Sequence, residues 1–213
     1  MPFQAIVFDL DGTLTNTLED IAFAMNRSLR LHALPEFPVE AYKYLVGDGA
    51  VMLARRACRD QTELAPSVLR EYRAYYQDHT SDRTAPYPGV PDMLQALAAR
   101  GIRLAVFSNK PHADVQTVVR HYFPDVPFEV IRGQIEGVPV KPNPAGALAV
   151  AEEMGLAPAD FLYLGDTGTD MRCAVNAGMH PVGVLWGFRE EKELRESGAK
   201  AIIAEPMALL ELL

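Results

Sequence analysis

The stretch Ala5-Ile6-Val7-Phe8-Asp9-Leu10-Asp11-Gly12-Thr13 decides how the rest of the chain is read. Its first four residues form an unbroken apolar run, the pattern of a strand buried on both faces of a parallel sheet. The run ends abruptly in two carboxylates and a glycine, as a buried strand does on emerging into a site. Side chains two apart on a strand share a face, so Asp9 and Asp11 are expected to aim at one point. Acids so placed suit Mg²⁺ binding, nucleophilic attack and proton transfer within one small volume. The competing reading is a turn after a strand, because Asp and Gly are frequent turn formers.

Downstream, strands and helices alternate. From Pro86-Tyr87-Pro88-Gly89 onward, a helix carrying Met93, Leu94 and Leu97 stops near Gly101, and the strand Ile102–Phe107 follows. A helix with Val115, Val118, Val119 and Tyr122, a strand at Phe128–Ile131 and a helix over residues 143–154 come next. Phe161-Leu162-Tyr163-Leu164 reads as a further buried strand, with a helix over 169–177 and strands at Pro181–Val184 and Ala201–Ile203. Repeated βα units with apolar strands predict an α/β fold, a Rossmann-like parallel sheet covered by helices on both faces.

Residues 16–85 interrupt that rhythm. They show no convincing strand and four helical patterns, the first following Thr17 and Asp20 at capping-box spacing. Leu18, Ile21, Ala22, Met25 and Leu29 keep a helical period, as do Val68, Leu69, Tyr72, Tyr75 and Tyr76. The tyrosine stripe is read as core packing. The expected organisation is an α/β core of residues 1–15 and 86–213, with a helical domain of residues 16–85 inserted after the first strand. Its two crossings, near 15–17 and 82–88, are placed to act as hinges of a lid.

In open α/β sheets ligands bind at the carboxyl ends of the strands. Those ends and adjoining loops carry Asp9 and Asp11, then Ser108-Asn109-Lys110, then Lys141, then Asp166 with Asp170. Each is ordinary alone: Ser108 suits a helix cap, Lys141 a solvated surface, and Asp166 and Asp170 the start of a helix. Together they compose an anion and Mg²⁺ site, with a hydroxyl and a lysine for phosphoryl oxygens and carboxylates for the metal. Lys110 is read either as a surface lysine or as part of the mouth.

Composition sets the bounds. The chain has 213 residues, 49% of them hydrophobic and 23% charged, ordinary for a globular protein. Lys and Arg number 20 against 28 Asp and Glu, a net charge of −8 that disfavours nucleic acid or anionic membrane as a partner. Cys58 and Cys173 form no disulfide framework or zinc motif, and the five histidines are scattered. No apolar run approaches the roughly 20 residues of a membrane helix. The first strand starts so near Met1 that no signal peptide is expected, and a cytoplasmic location follows. Oligomeric state is left open.

In order, Asp9-Leu10-Asp11-Gly12-Thr13, Ser108-Asn109, Lys141 and Gly165-Asp166-Thr167-Gly168-Thr169-Asp170 resemble the four motifs of haloacid dehalogenase superfamily phosphatases. The resemblance spans nearly the whole chain, and the insertion falls where that family carries its cap. It implies that Asp9 attacks phosphorus to form an aspartyl-phosphate, while Asp11 protonates the leaving group and later activates water. Asp9, the Asp11 backbone carbonyl and Asp166 would hold Mg²⁺; Ser108, the Asn109 N–H and Lys141 would hold the phosphoryl oxygens. Thr13 would steady the loop, and Asp170 would bind metal directly, through water, or orient Lys141. Gly47-Asp48-Gly49 resembles the family's specificity loop. Arg55 and Arg56 are candidates for a substrate carboxylate, against an exposed helix face as the alternative.

Within the superfamily, Val46-Gly47-Asp48-Gly49-Ala50, Ser108-Asn109-Lys110-Pro111 and Trp186-Gly187-Phe188-Arg189 are similar to the phosphoglycolate phosphatase branch. That implies a small phosphorylated metabolite, 2-phosphoglycolate, as substrate. Asn143 departs from the pattern, which has His at that place. Inorganic pyrophosphate hydrolysis and sugar phosphomutation are alternatives within the superfamily. Dehalogenation is disfavoured because it needs no acid at Asp11. A non-enzymatic phospho-aspartate switch is the alternative from another class.

Overall fold

Ala5–Phe8 forms β1, buried along its whole length and paired in parallel with a strand on each side. The computed structural model describes residues 3–213. After β1 come a two-residue strand β2 (Thr15–Asn16) and four helices: α1 (Leu18–Leu31), α2 (Tyr42–Leu45), α3 (Ala50–Ala57) and α4 (Ala65–Tyr76). The chain returns through β3 (Ala85–Pro86) to α5 (Val90–Ala99), β4 (Arg103–Pro111), α6 (His112–Tyr122), β5 (Phe128–Gln134) and α7 (Ala145–Glu153). It ends with β6 (Phe161–Gly165), α8 (Gly168–Ala177), β7 (His180–Val184), α9 (Glu191–Glu196) and β8 (Ala201–Ile203).

The main sheet has the order β5-β4-β1-β6-β7-β8, with every pairing parallel. Counting its strands along the chain, this is the doubly wound Rossmann order, whose switch point lies between the first and fourth strands. A crevice therefore opens where β1 and β6 end. Side-chain alternation along β1 sends Ile6 and Phe8 into a cluster with Val90, Leu94, Val115 and Val119, under α5 and α6. Ala5 and Val7 pack on the other face with Ala147, Val150, Cys173 and Ala174, under α7 and α8. The apolar tail closes on the first of these clusters, with Leu209 buried in it. No helix among the described residues is long and apolar enough to cross a membrane.

The helices between β2 and β3 enclose a separate cluster of Ile21, Met25, Leu29, Tyr42, Leu53, Val68 and Tyr72. Tyr72 and Tyr76 stack within it, ring centroids 5.1 Å apart. One member of this cluster, Phe188, comes from the segment after β7. Two local expectations fail at the crossings. Asn16 and Ala85 pair as the short antiparallel ribbon β2–β3, where no strand was expected. Thr17 makes no capping bond, and the reciprocal half of the box is lost as well because Asp20 turns away: its carboxylate accepts from the Arg83 and Thr84 N–H groups and the Thr84 hydroxyl at 2.8–3.0 Å. The capping-box acid instead ties the return crossing to α1. A true capping box forms at α8, between Thr167 and Asp170.

Candidate active site

Three neighbouring strands deliver the site. Asp9 follows β1 directly, and its N–H still bonds the Leu164 carbonyl of β6 at 2.9 Å. The chain then turns tightly, the Leu10 carbonyl accepting from the N–H groups of Thr13, Leu14 and Thr15. Strand alternation therefore stops at Leu10, and the two carboxylates part company. Asp9 faces Lys141, whereas Asp11 pairs with Lys110, whose Nζ lies 3.0 and 3.3 Å from its two oxygens. Both acids still line one cavity.

Lys141 is only 1% exposed, so its charge must be answered by neighbours. Its Nζ lies 2.9 Å from Asp9 Oδ1 and 2.7 Å from Asp170 Oδ1, and it donates to the Phe107 carbonyl at 3.3 Å. Burial disfavours the ammonium, but Asp170 and Asp9 outweigh it and hold the lysine charged. Its backbone is pinned by Asn109: the Lys141 N–H donates to Asn109 Oδ1 at 2.8 Å, and Asn109 Nδ2 donates to the Lys141 carbonyl at 3.2 Å. Asn143, the departure from the family pattern, accepts from the Ala145 N–H at the start of α7 and so serves the local backbone.

Asp166 follows β6 and is fully buried. The Thr13 hydroxyl donates to its Oδ1 at 3.1 Å and the Phe188 N–H to its Oδ2 at 2.8 Å. Gly12 (φ +89°) and Gly187 pack so closely on this carboxylate that a Cβ at either would overlap it. Asp170 is held more completely, with Oδ1 on Lys141 and Oδ2 accepting from the Thr167 N–H and hydroxyl.

One oxygen each of Asp9, Asp166 and Asp170 fall within 4.8 Å of one another. Burial, then the charge of Asp170, lifts the Asp9 carboxyl to about 7 against the pull of Lys141. Burial, then Asp170 and Asp9, raises Asp166 well above the usual carboxylate range. Asp9 Oδ1 is buried, and its one close partner is the Lys141 ammonium at 2.9 Å. Three carboxylates gathered around a single ammonium are short of positive charge and fit a hard divalent cation. Asp9 and Asp166 have the spare capacity to hold it; Asp170 is largely committed to Lys141 and its own helix cap.

The helical insertion lies over these groups. Asn109 Nδ2 also donates to the Gly47 carbonyl at 3.1 Å, and the Thr169 hydroxyl to Asp48 Oδ1 at 2.8 Å. Arg189 donates to the carbonyls of Val46, at 2.9 Å, and Lys43. The cavity between insertion and core is about 40 Å³. Asp9, Asp11, Ser108, Asn109 and Lys110 form its floor, and Ile21, Val46, Gly49, Leu53 and Tyr72 much of its roof.

The arginines expected to meet substrate do not line it. Arg55 is exposed beside Val51 and Leu69, and Arg56 is taken up by Asp48 and the Leu45 carbonyl. Sequence reading left Lys110 undecided; it is buried, 6% exposed, and its Nζ donates to Tyr76 Oη at 2.6 Å. Tyr76 is therefore more than core packing. Arg189 and Thr169 were named only within the stretches Trp186-Gly187-Phe188-Arg189 and Gly165-Asp166-Thr167-Gly168-Thr169-Asp170, with no role given to either.

A doubly wound sheet with acids, a hydroxyl and a lysine converging at its switch point, roofed by helices inserted after strand one, defines a class of hydrolase. The haloacid dehalogenase-like hydrolase family model matches residues 6–184, and the chain belongs to that family. Among curated relatives, the phosphoglycolate phosphatase of Mannheimia succiniciproducens is 32% identical over 219 residues, covering 99% of this chain and 98% of its own. That of Haemophilus influenzae Rd is 31% identical with the same coverage. The crystal structure of a predicted phosphoglycolate phosphatase from Haemophilus somnus superposes with a TM-score of 0.91 at 30% identity, covering 100% of this chain and 98% of that one.

Proposed function

We propose that the protein is a Mg²⁺-dependent phosphomonoesterase acting through an aspartyl-phosphate, with 2-phosphoglycolate as substrate and glycolate and phosphate as products. The observation that carries the reading is Asp9 itself. It sits at the central strand end, on the cavity floor, with the Lys141 ammonium 2.9 Å away and Asp166 and Asp170 beside it. Full-length similarity to phosphoglycolate phosphatases supports the choice of substrate.

In this reading an Asp9 oxygen attacks phosphorus in line as the bond to the departing oxygen breaks. Asp11, on the same floor, gives its proton to that oxygen. Water then attacks the phosphorus, its proton passes to Asp11, and the bond to Asp9 breaks to release phosphate. Ser108, the Asn109 N–H and Lys141 hold the equatorial oxygens, where fixed donors stabilise charge in a water-poor site. Mg²⁺ held by Asp9, Asp166 and the Asp11 carbonyl supplies the positive charge that keeps Asp9 ionised and neutralises the phosphoryl group. Thr13 fixes Asp166, Asp170 fixes Lys141, and residues 16–85 act as the cap over the core of residues 1–15 and 86–213.

The test is a kinetic screen with Mg²⁺ across phosphoglycolate, pyrophosphate, sugar phosphates and nucleotides. Phosphoglycolate is expected to lead in kcat/KM. A lead by pyrophosphate, or isomerisation of a sugar phosphate without release of phosphate, overturns the assignment. A stable phosphoprotein that does not turn over points to the switch instead.

A further inference from the structure

We infer that Lys110, steadied by Tyr76, is the specificity residue that binds a carboxylate carried one carbon beyond the ester carbon of the substrate. The inference rests on the phosphomonoesterase reading and deepens it. Among the described residues lining the cavity, Lys110 is the one cation. Arg55 and Arg56 stand off this wall, Arg55 exposed and Arg56 held by Asp48 and the Leu45 carbonyl, whereas Lys110, although paired with Asp11, lies on it. Much of the cap-side wall is apolar, with Ile21, Val46 and Leu53, so a second anionic group on the substrate finds little else to meet.

Position sets the reach. Lys110 Nζ contacts both oxygens of Asp11, the carboxyl that protonates the departing oxygen. Two successive hydrogen bonds of about 3 Å put the ammonium within roughly 6 Å of that oxygen. A carboxylate one carbon past the ester carbon falls inside that radius, while one at the far end of a sugar does not. Tyr76, from the cap, accepts a Lys110 N–H at 2.6 Å, and its ring lies 4.6 Å from Nζ, so the ammonium is held in place when the cap is docked.

The experiment compares kcat/KM for phosphoglycolate with that for 2-hydroxyethyl phosphate, its uncharged counterpart, in wild type and Lys110→Met. Wild type is expected to prefer phosphoglycolate, and Lys110→Met to reduce that ratio by about 30-fold or more. Lys110→Arg, which keeps the charge, is expected to retain most of it. If Lys110→Met turns over neither ester, the same ratio is read from dissociation constants of the two esters in Asp9→Asn and in Asp9→Asn with Lys110→Met. A wild-type preference that survives Lys110→Met overturns the role of Lys110 and leaves the substrate assignment standing. A wild type with no preference overturns the substrate assignment itself.

Discussion

At Lys141 one buried ammonium answers two buried carboxylates, so the two sides of the cluster respond oppositely to substitution. Asp9→Asn removes a repulsive charge together with the nucleophile. It is expected to lower kcat by about 10⁴-fold or more while leaving the thermal midpoint unchanged or higher. Lys141→Met strands Asp9 and Asp170 and is expected to cost about 3–5 kcal/mol in urea unfolding without divalent cation. Equal loss of stability in the two variants would sink this account of the cluster. Asp9, Asp11, Ser108, Lys141 and Asp166 were legible because each lies at the end of an apolar strand run or in a loop beside one, Ser108 inside the polar end of β4 itself. That the two carboxylates face different lysines, Asp9 toward Lys141 and Asp11 toward Lys110, was not legible. It depends on the turn at Leu10, where three N–H groups share one carbonyl and break the strand period.

At the scale of elements, the crossings between sheet and insertion are the least ordinary parts of the fold. Asp20 belongs to α1 but spends its carboxylate on Arg83 and Thr84, residues that immediately precede β3. Asp20→Ala leaves those N–H groups without their acceptor and is expected to destabilise the protein by about 1–3 kcal/mol. Hydrogen exchange at the Arg83 and Thr84 amides should speed up selectively, with α5 and β1 unaffected. Uniform acceleration throughout the chain would contradict a local clasp. Spacing alone made Thr17 and Asp20 look like a capping box, and it could not reveal an acceptor needed 63 residues away. Helix periods were easier to read: Ile21, Met25 and Leu29 report α1 correctly because each turn buries one of them.

For the whole molecule, the sheet order and the seating of the insertion matter most. The parallel α/β class follows from alternating patterns, but the order β5-β4-β1-β6-β7-β8 depends on pairings that no local pattern encodes. The cap's contacts were equally hidden, because Lys110 and Tyr76 meet only once two separately packed clusters are docked. Arg189 joins those bodies through the Val46 and Lys43 carbonyls, while Phe188 enters the insertion's cluster. Arg189→Ala is expected to raise KM about tenfold with a smaller effect on kcat, since charge-assisted hydrogen bonds of this kind contribute about 1.5–3 kcal/mol. Steady-state kinetics check the split; a loss confined to kcat would place Arg189 in the chemistry instead.

The grip on the insertion falls largely on peptide oxygens: Asn109 takes the Gly47 carbonyl, and Arg189 those of Val46 and Lys43. A carbonyl is supplied by every residue type, so these holds do not care which side chain occupies the position. Roof residues can therefore be exchanged to suit a different leaving group while the roof still seats in register. Much of the docking is thus written in the backbone, and wall positions such as Ile21, Val46 and Leu53 are left free to evolve.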